Sequence, residues 1–140
     1  MNYWEGATRA YHHTAPINML YGLYQALSLI LEEGETRVFE RHMEAHQQLV
    51  RELDLLGLRM QVDASCRLPM LNAVCIPEGA KDAEIRKRLL RDHKIEIGAG
   101  LGPLAGKIWR IGLMGHTARP GNVEKLIHAL KETLPPPGDH

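Results

Sequence analysis

The chain carries no excess of either charge. Its 17 lysines and arginines are matched by 17 aspartates and glutamates. Such a balance supplies no field to attract nucleic acid or an anionic membrane surface, so neither partner is expected. Long apolar runs are also missing, and nothing approaches the roughly 20 residues that span a bilayer. The first six residues, Met1-Asn2-Tyr3-Trp4-Glu5-Gly6, lack a basic flank leading into an apolar stretch, so no signal peptide is expected. Two cysteines, Cys66 and Cys75, make no disulfide framework. Reduced thiols and a cytoplasmic location follow as expectations. No internal repeat is visible, and the only biased segment is the Pro/Gly tail from residue 135. What remains is an ordinary globular composition, 44% apolar over 140 residues, enough for one domain with a real core.

Periodicity gives the order of elements. From Pro16 to Glu33 one apolar stripe runs through Ile17, Leu20, Tyr21, Tyr24, Leu27 and Leu31, and a second through Met19, Leu23, Ala26 and Ile30. A helix apolar on two faces needs two bodies to cover it, and this chain is short of the second. Gly34 suits its C-terminus. Thr36 is expected to cap a second helix reaching residue 56, with Phe39, Met43, His46, Val50 and Leu53 inward. Residues 58–62 and 71–76 read as strands, the second closed by the turn Pro77-Glu78-Gly79. Asp82 is expected to cap a helix to His93 with Ile85 and Leu89 inward. Residues 95–97 and 108–113 read as strands. A last helix starts near Thr117, buries Val123, Leu126, Ile127, Leu130 and Leu134, and stops at Pro135-Pro136-Pro137. Strands and helices in this order predict an α+β fold: a small, mostly antiparallel sheet with helices on one face, preceded by a long helix.

Two segments carry chemistry. In Tyr11-His12-His13-Thr14, followed by Ala15-Pro16, a threonine stands just ahead of a helix whose first turn contains proline. Free N–H groups and the positive dipole end there favour an anion, and the Tyr11 and Thr14 hydroxyls can both donate to a phosphate. The plain alternative is that Thr14 only caps the helix and Tyr11 only packs. In the strand 108–113, alternation puts Trp109, Ile111 and Leu113 on one face and Ile108, Arg110 and Gly112 on the other. Gly112 is expected to leave space beside the Arg110 guanidinium, which can grip a carboxylate by two parallel hydrogen bonds. The alternative is a solvated arginine on an open sheet face.

Other candidates are weaker. Gly98-Ala99-Gly100-Leu101-Gly102-Pro103 cannot be a dinucleotide fingerprint, because Pro103 and a short loop lead into a strand rather than a helix. Its glycines are expected to let backbone approach a ligand or partner. His42 and His46 have metal-ligand spacing on a helix, but no third ligand stands nearby, so no metal is expected. His12 and His13 are assigned local polar contacts, and Cys66 and Cys75 have no base partner for nucleophilic work.

Taken together, Tyr11-His12-His13-Thr14-Ala15-Pro16, Ile95-Glu96-Ile97-Gly98, residues 101–107 and Arg110-Ile111-Gly112-Leu113 resemble the C-terminal part of alanine–glyoxylate (serine–pyruvate) aminotransferases. This is the class V, pyridoxal-phosphate-dependent family, and the resemblance runs from about Tyr3 to Leu134. The junction at Glu33-Gly34-Glu35-Thr36 looks one residue shorter than that pattern. The resemblance implies the small C-terminal domain of a fold-type I transferase, with residues 1–15 left from a large domain, 16–134 as the small domain with its connecting helix, and 135–140 as a tail. It implies transfer of an amino group from alanine or serine to glyoxylate or pyruvate. In that family Tyr11 and Thr14 would contact the cofactor phosphate of the neighbouring subunit in a homodimer, and Arg110 the substrate carboxylate. It implies no catalytic residue here, since the Schiff-base lysine lies upstream of the Tyr-His-His-Thr motif and is not in this chain. This piece is therefore expected to be inactive alone. Two other readings compete. A desulfurase-like lyase of the same class would need a loop cysteine, and residues 98–107 contain none. A free-standing α+β regulatory or interaction module would predict one apolar face, not two, on the first helix.

Overall fold

The computed structural model describes residues 13–135. Its contacts divide the chain into two units, Met1–Glu35 and Thr36–His140.

The first unit contains helix α1, Ile17–Glu33. It ends at Gly34, whose φ of 86° is open to glycine and whose N–H bonds the Ile30 carbonyl at 2.9 Å. None of its residues is buried. Met19, Tyr21, Tyr24 and Leu31 are each more than 70% exposed, and both apolar stripes face outward.

The second unit is the predicted α+β layer. Helix α2 spans Glu35–Leu55, strand β1 Leu71–Cys75, helix α3 Asp82–His93, strand β2 Gly98–Ala99, strand β3 Ile108–Gly112 and helix α4 Pro120–Thr133. The sheet is antiparallel with order β1-β3-β2. Alternation along β3 and β1 turns Trp109, Ile111 and Val74 into one core with Ala45, Leu49 and Leu53 of α2, Ile85 and Leu89 of α3, and Val123, Leu126, Ile127 and Leu130 of α4. Ala73, Arg110 and Gly112 lie on the opposite face, half-buried or exposed. Arg88 fastens α3 to the end of α4, donating to the Thr133 and Glu132 carbonyls at 3.0 Å each.

Several boundaries depart from expectation, each for a local reason. Residues 58–62 form no strand: Met60 makes an isolated bridge to Val74, with Gln61 N–H on the Ala73 carbonyl and Cys75 N–H on the Arg59 carbonyl. The next carbonyl, Val62, accepts from Arg67 Nε at 2.8 Å, and Asp63 turns the chain by accepting from the Ser65 N–H at 2.9 Å. Residues 95–97 form no strand either, because Lys94 adopts a left-handed conformation (φ 59°) and the Ile95 N–H closes α3 on the Leu89 carbonyl. Pairing begins only at Gly98. Asp82 and Thr36 are not caps, Thr36 because α2 already begins at Glu35, and the last helix starts at Pro120 rather than near Thr117. Asp82 is the first residue of α3, after Lys81, and Thr117 closes a short turn with Met114 three residues before α4.

The buried row of α2 is Arg41, Ala45, Leu49 and Leu53, so its inward face is turned by roughly 100° from the expected stripe. Phe39 and Met43 point outward, 70% and 43% exposed. Arg41 enters the core because its guanidinium has partners: Nη1 donates to the Gly115 and Ala118 carbonyls, both at 2.8 Å.

Candidate functional site

Arg110 is the middle residue of the middle strand. Its neighbours Trp109 and Ile111 are both buried and anchor β3 from the helix side, which sends Arg110, half-buried, to the opposite face. Register places it between Ala73 on β1 and Gly98 on β2, two small residues. Its Nε–H donates to the Ala99 carbonyl at 2.7 Å. Among the described residues no other group bonds or ion-pairs with this guanidinium, so its Nη1 and Nη2 hydrogens remain to grip an anion. A half-buried, tethered arginine with free terminal donors matches the planar, two-toothed demand of a carboxylate.

The glycine beside this guanidinium is not the expected one. A Cβ on Gly112 would meet only the Met114 Cε, at 3.9 Å. A Cβ on Gly98 would lie 3.2 Å from Arg110 Nη2 and 3.3 Å from Nε. Cross-strand register, not alternation along one strand, decides this. The loop glycines likewise serve their own loop. A Cβ on Gly100 would fall 2.0 Å from the Leu104 carbonyl oxygen, and Gly102 and Gly106 take φ of 53° and 71°.

Thr14 lies in the first unit and is exposed. The helix cap is Pro16, two residues on, and it contributes no side-chain bond. Proline stands at the cap and not in the first turn. The first turn contains no acidic residue, so nothing there opposes an anion. Residues Thr14 to Met19 line an open recess at this helix start. Tyr11, with His12, lies outside the described residues; Arg110 belongs to the second unit.

The remaining candidates are engaged in the scaffold. His42 Nδ1 bonds the Val38 carbonyl at 2.7 Å while its Nε2 accepts from the Gly115 N–H at 3.0 Å. His46 Nδ1 bonds Asn72 Oδ1 at 2.7 Å, and Asn72, buried in β1, donates to the Pro69 and Ile111 carbonyls. Cys66 and Cys75 are free thiols, and Cys75 donates to Gln61 Oε1 at 3.3 Å. Sequence reasoning missed Asp82 as an electrostatic centre. Arg86 binds it through Nε and Nη2 at 2.7 and 3.3 Å, and the buried Trp109 indole donates to it at 2.9 Å. Arg86, then Trp109, holds its carboxyl below the usual aspartate range against the opposing effect of burial. Arg86 four residues after Asp82 was the available signal.

No protein-family model matches the chain. The crystal structure of an alanine–glyoxylate aminotransferase from Nostoc sp. superposes on it with a TM-score of 0.87 at 47% identity, covering 96% of this chain and 35% of that one. The (S)-ureidoglycine–glyoxylate transaminase of Bacillus subtilis is 41% identical over 133 residues, 95% of this chain and 32% of its own length. The alanine–glyoxylate aminotransferase of Mus musculus is 40% identical over 131 residues, 93% of this chain and 32% of its own. Fold and sequence together define the chain as a homologue of the class V aminotransferases. More particularly, its homologues are alanine–glyoxylate, ureidoglycine–glyoxylate and, at 31% identity, serine–glyoxylate aminotransferases, and it spans about a third of their length.

Proposed function

We propose that these residues form the small domain, with its connecting helix, of a pyridoxal-phosphate-dependent aminotransferase that moves an amino group from alanine or serine to glyoxylate or pyruvate. Residues 16–134 form that domain, residues 1–15 are the end of a large domain, and residues 135–140 are a tail. The protein works as a homodimer in the cytoplasm. Among the described residues no helix is long and apolar enough to cross a membrane. The observation that carries the reading is Arg110, half-buried on the sheet face opposite Trp109 and Ile111, tethered at Nε and open at both Nη groups.

Each residue has a defined task. Arg110 binds the carboxylate common to amino donor and oxo-acid acceptor, fixing the substrate by its invariant end. Thr14 and Tyr11 donate hydroxyl hydrogens to the cofactor phosphate held by the neighbouring subunit. The start of α1, where Pro16 supplies no side-chain cap and the first turn holds no acid, fits that anion. When bound, the cofactor supplies the electron sink for amino transfer. The lysine to which it attaches is not among these 140 residues, so this segment by itself does not turn over.

A chimaera tests the reading. This chain replaces the matching third of the Nostoc aminotransferase, and alanine–glyoxylate transamination is measured. The active chimaera should lose about ten- to a hundredfold in kcat/KM with Arg110→Lys, which keeps the charge but not the fork, while its cofactor spectrum stays unchanged. Unaltered kinetics would remove Arg110 from the site. A folded chimaera with bound cofactor but no activity would favour the non-catalytic module.

A further inference from the structure

Gly98 has no conformational need to be glycine. Its φ is not positive, unlike that of Gly102 or Gly106 in the same loop, so its backbone suits any residue. Nor does it serve the loop's own packing, as Gly100 does against Leu104. What lies over its bare Cα is the Arg110 side chain, whose Nη2, Nε and Cβ would stand 3.2, 3.3 and 3.4 Å from an added Cβ. The arginine crosses β2 at Gly98 to reach the Ala99 carbonyl, one residue further along that strand.

The geometry points to Gly98 as a positioning residue: its missing side chain lets Arg110 lie flat on β2 with Nε spent on Ala99, so that a carboxylate is gripped end-on by Nη1 and Nη2. This rests on the reading of Arg110 as the carboxylate site. An arginine can meet a carboxylate along two edges, the pair of terminal nitrogens or the edge of Nε and one Nη. Here the second edge is occupied by Ala99, which leaves one direction of approach. A branched residue at 98 would occupy the crossing point, lift the guanidinium off Ala99 and free the Nε edge. The strand would thereby lose its control over the direction in which substrate lies. Ala73 on the other flank of Arg110 is also small, but the arginine bonds toward β2, so position 98 decides the posture.

The test reads the arginine directly in the nitrogen-labelled 140-residue chain, with the Arg110 Nε–H signal assigned by its loss in Arg110→Lys. In the wild type this hydrogen should exchange about fivefold more slowly than those of the exposed Arg51 and Arg59, the effect of one net hydrogen bond. Gly98→Val should raise it to their rate, Gly98→Ala should fall between, and Gly112→Ala should leave it unchanged. Full protection in Gly98→Val, with the β3 amides still protected, would overturn the assignment. Should Gly98→Val disrupt the sheet, Gly98→Ala decides, and protection equal to wild type overturns it. Pyruvate is then titrated into the wild type. Movement of the Arg110 Nη signals with Nε–H still protected supports end-on binding, whereas loss of Nε–H protection overturns it. If no Arg110 signal moves, the carboxylate role fails, while the posture set by Gly98 stands or falls on the ligand-free exchange rates.

Discussion

Asp82→Ala removes three interactions at once, and their sizes can be worked from the structure. The Trp109 indole is fully buried and donates to Asp82 at 2.9 Å, so its N–H would be left without an acceptor, at about 1–3 kcal/mol. The Arg86 pair, with side chains 30% and 20% exposed, adds about 0.5–1 kcal/mol, because solvent screens part of it. Loss of a carboxylate from the first turn of α3 adds roughly 0.3–1 kcal/mol. The expected loss is about 2–5 kcal/mol, or roughly 10–25 °C in Tm for a domain near a hundred residues. Asp82→Asn keeps an oxygen for the indole and should lose about half as much. Circular dichroism in heat and urea measures both, and Trp109 fluorescence should report the altered indole. The pH dependence has a definite sign. The folded carboxyl titrates below its unfolded value, so its contribution is complete above the unfolded pKa and disappears as pH falls through the folded one. The gap between wild type and Asp82→Ala should therefore be constant near neutrality and shrink below about pH 4. A loss under roughly 0.5 kcal/mol, or a gap that widens in acid, would refute the reasoning.

Arg41→Met should cost about 3 kcal/mol, since the Gly115 and Ala118 carbonyls lose a charged donor and Ala118 is fully buried; urea unfolding and exchange of the Gly115 amide check it. In the Nostoc chimaera, Thr14→Ala with Tyr11→Phe should weaken both cofactor retention and the dimer, with excess cofactor restoring the dimer, because a ligand held by two chains links the equilibria. Sedimentation with and without cofactor reads this, and a dimer indifferent to cofactor would reduce the segment to a helix start.

The fold was legible where a period is long and strong. Helices α1 and α4 and strands β1 and β3 lie within a residue or two of expectation, apart from the start of α4. The phase of α2 was not, because its buried row begins with an arginine and an alanine while the conspicuous Phe39 and Met43 face outward. Apolar side chains advertise a face only when the core, rather than some other surface, claims them. Two-residue β2 has no period to read. The strand face that carries Arg110 was legible from alternation with the buried Trp109 and Ile111, whereas the tether to Ala99 and the space at Gly98 depend on cross-strand register, which no local pattern encodes.

The close approach at Gly100 has a genetic consequence. Every missense change in a glycine codon introduces a Cβ, and at position 100 that atom would land 2.0 Å from the Leu104 carbonyl oxygen and 2.6 Å from its carbon. The Leu104 backbone cannot yield as a side-chain end can, so alanine is as forbidden there as aspartate. A saturation library should show position 100 empty of all substitutions, position 98 graded by side-chain size, and position 112 permissive. The three glycines, within a dozen or so residues of one another, would have quite different mutational histories, each written by the distance to its nearest neighbour.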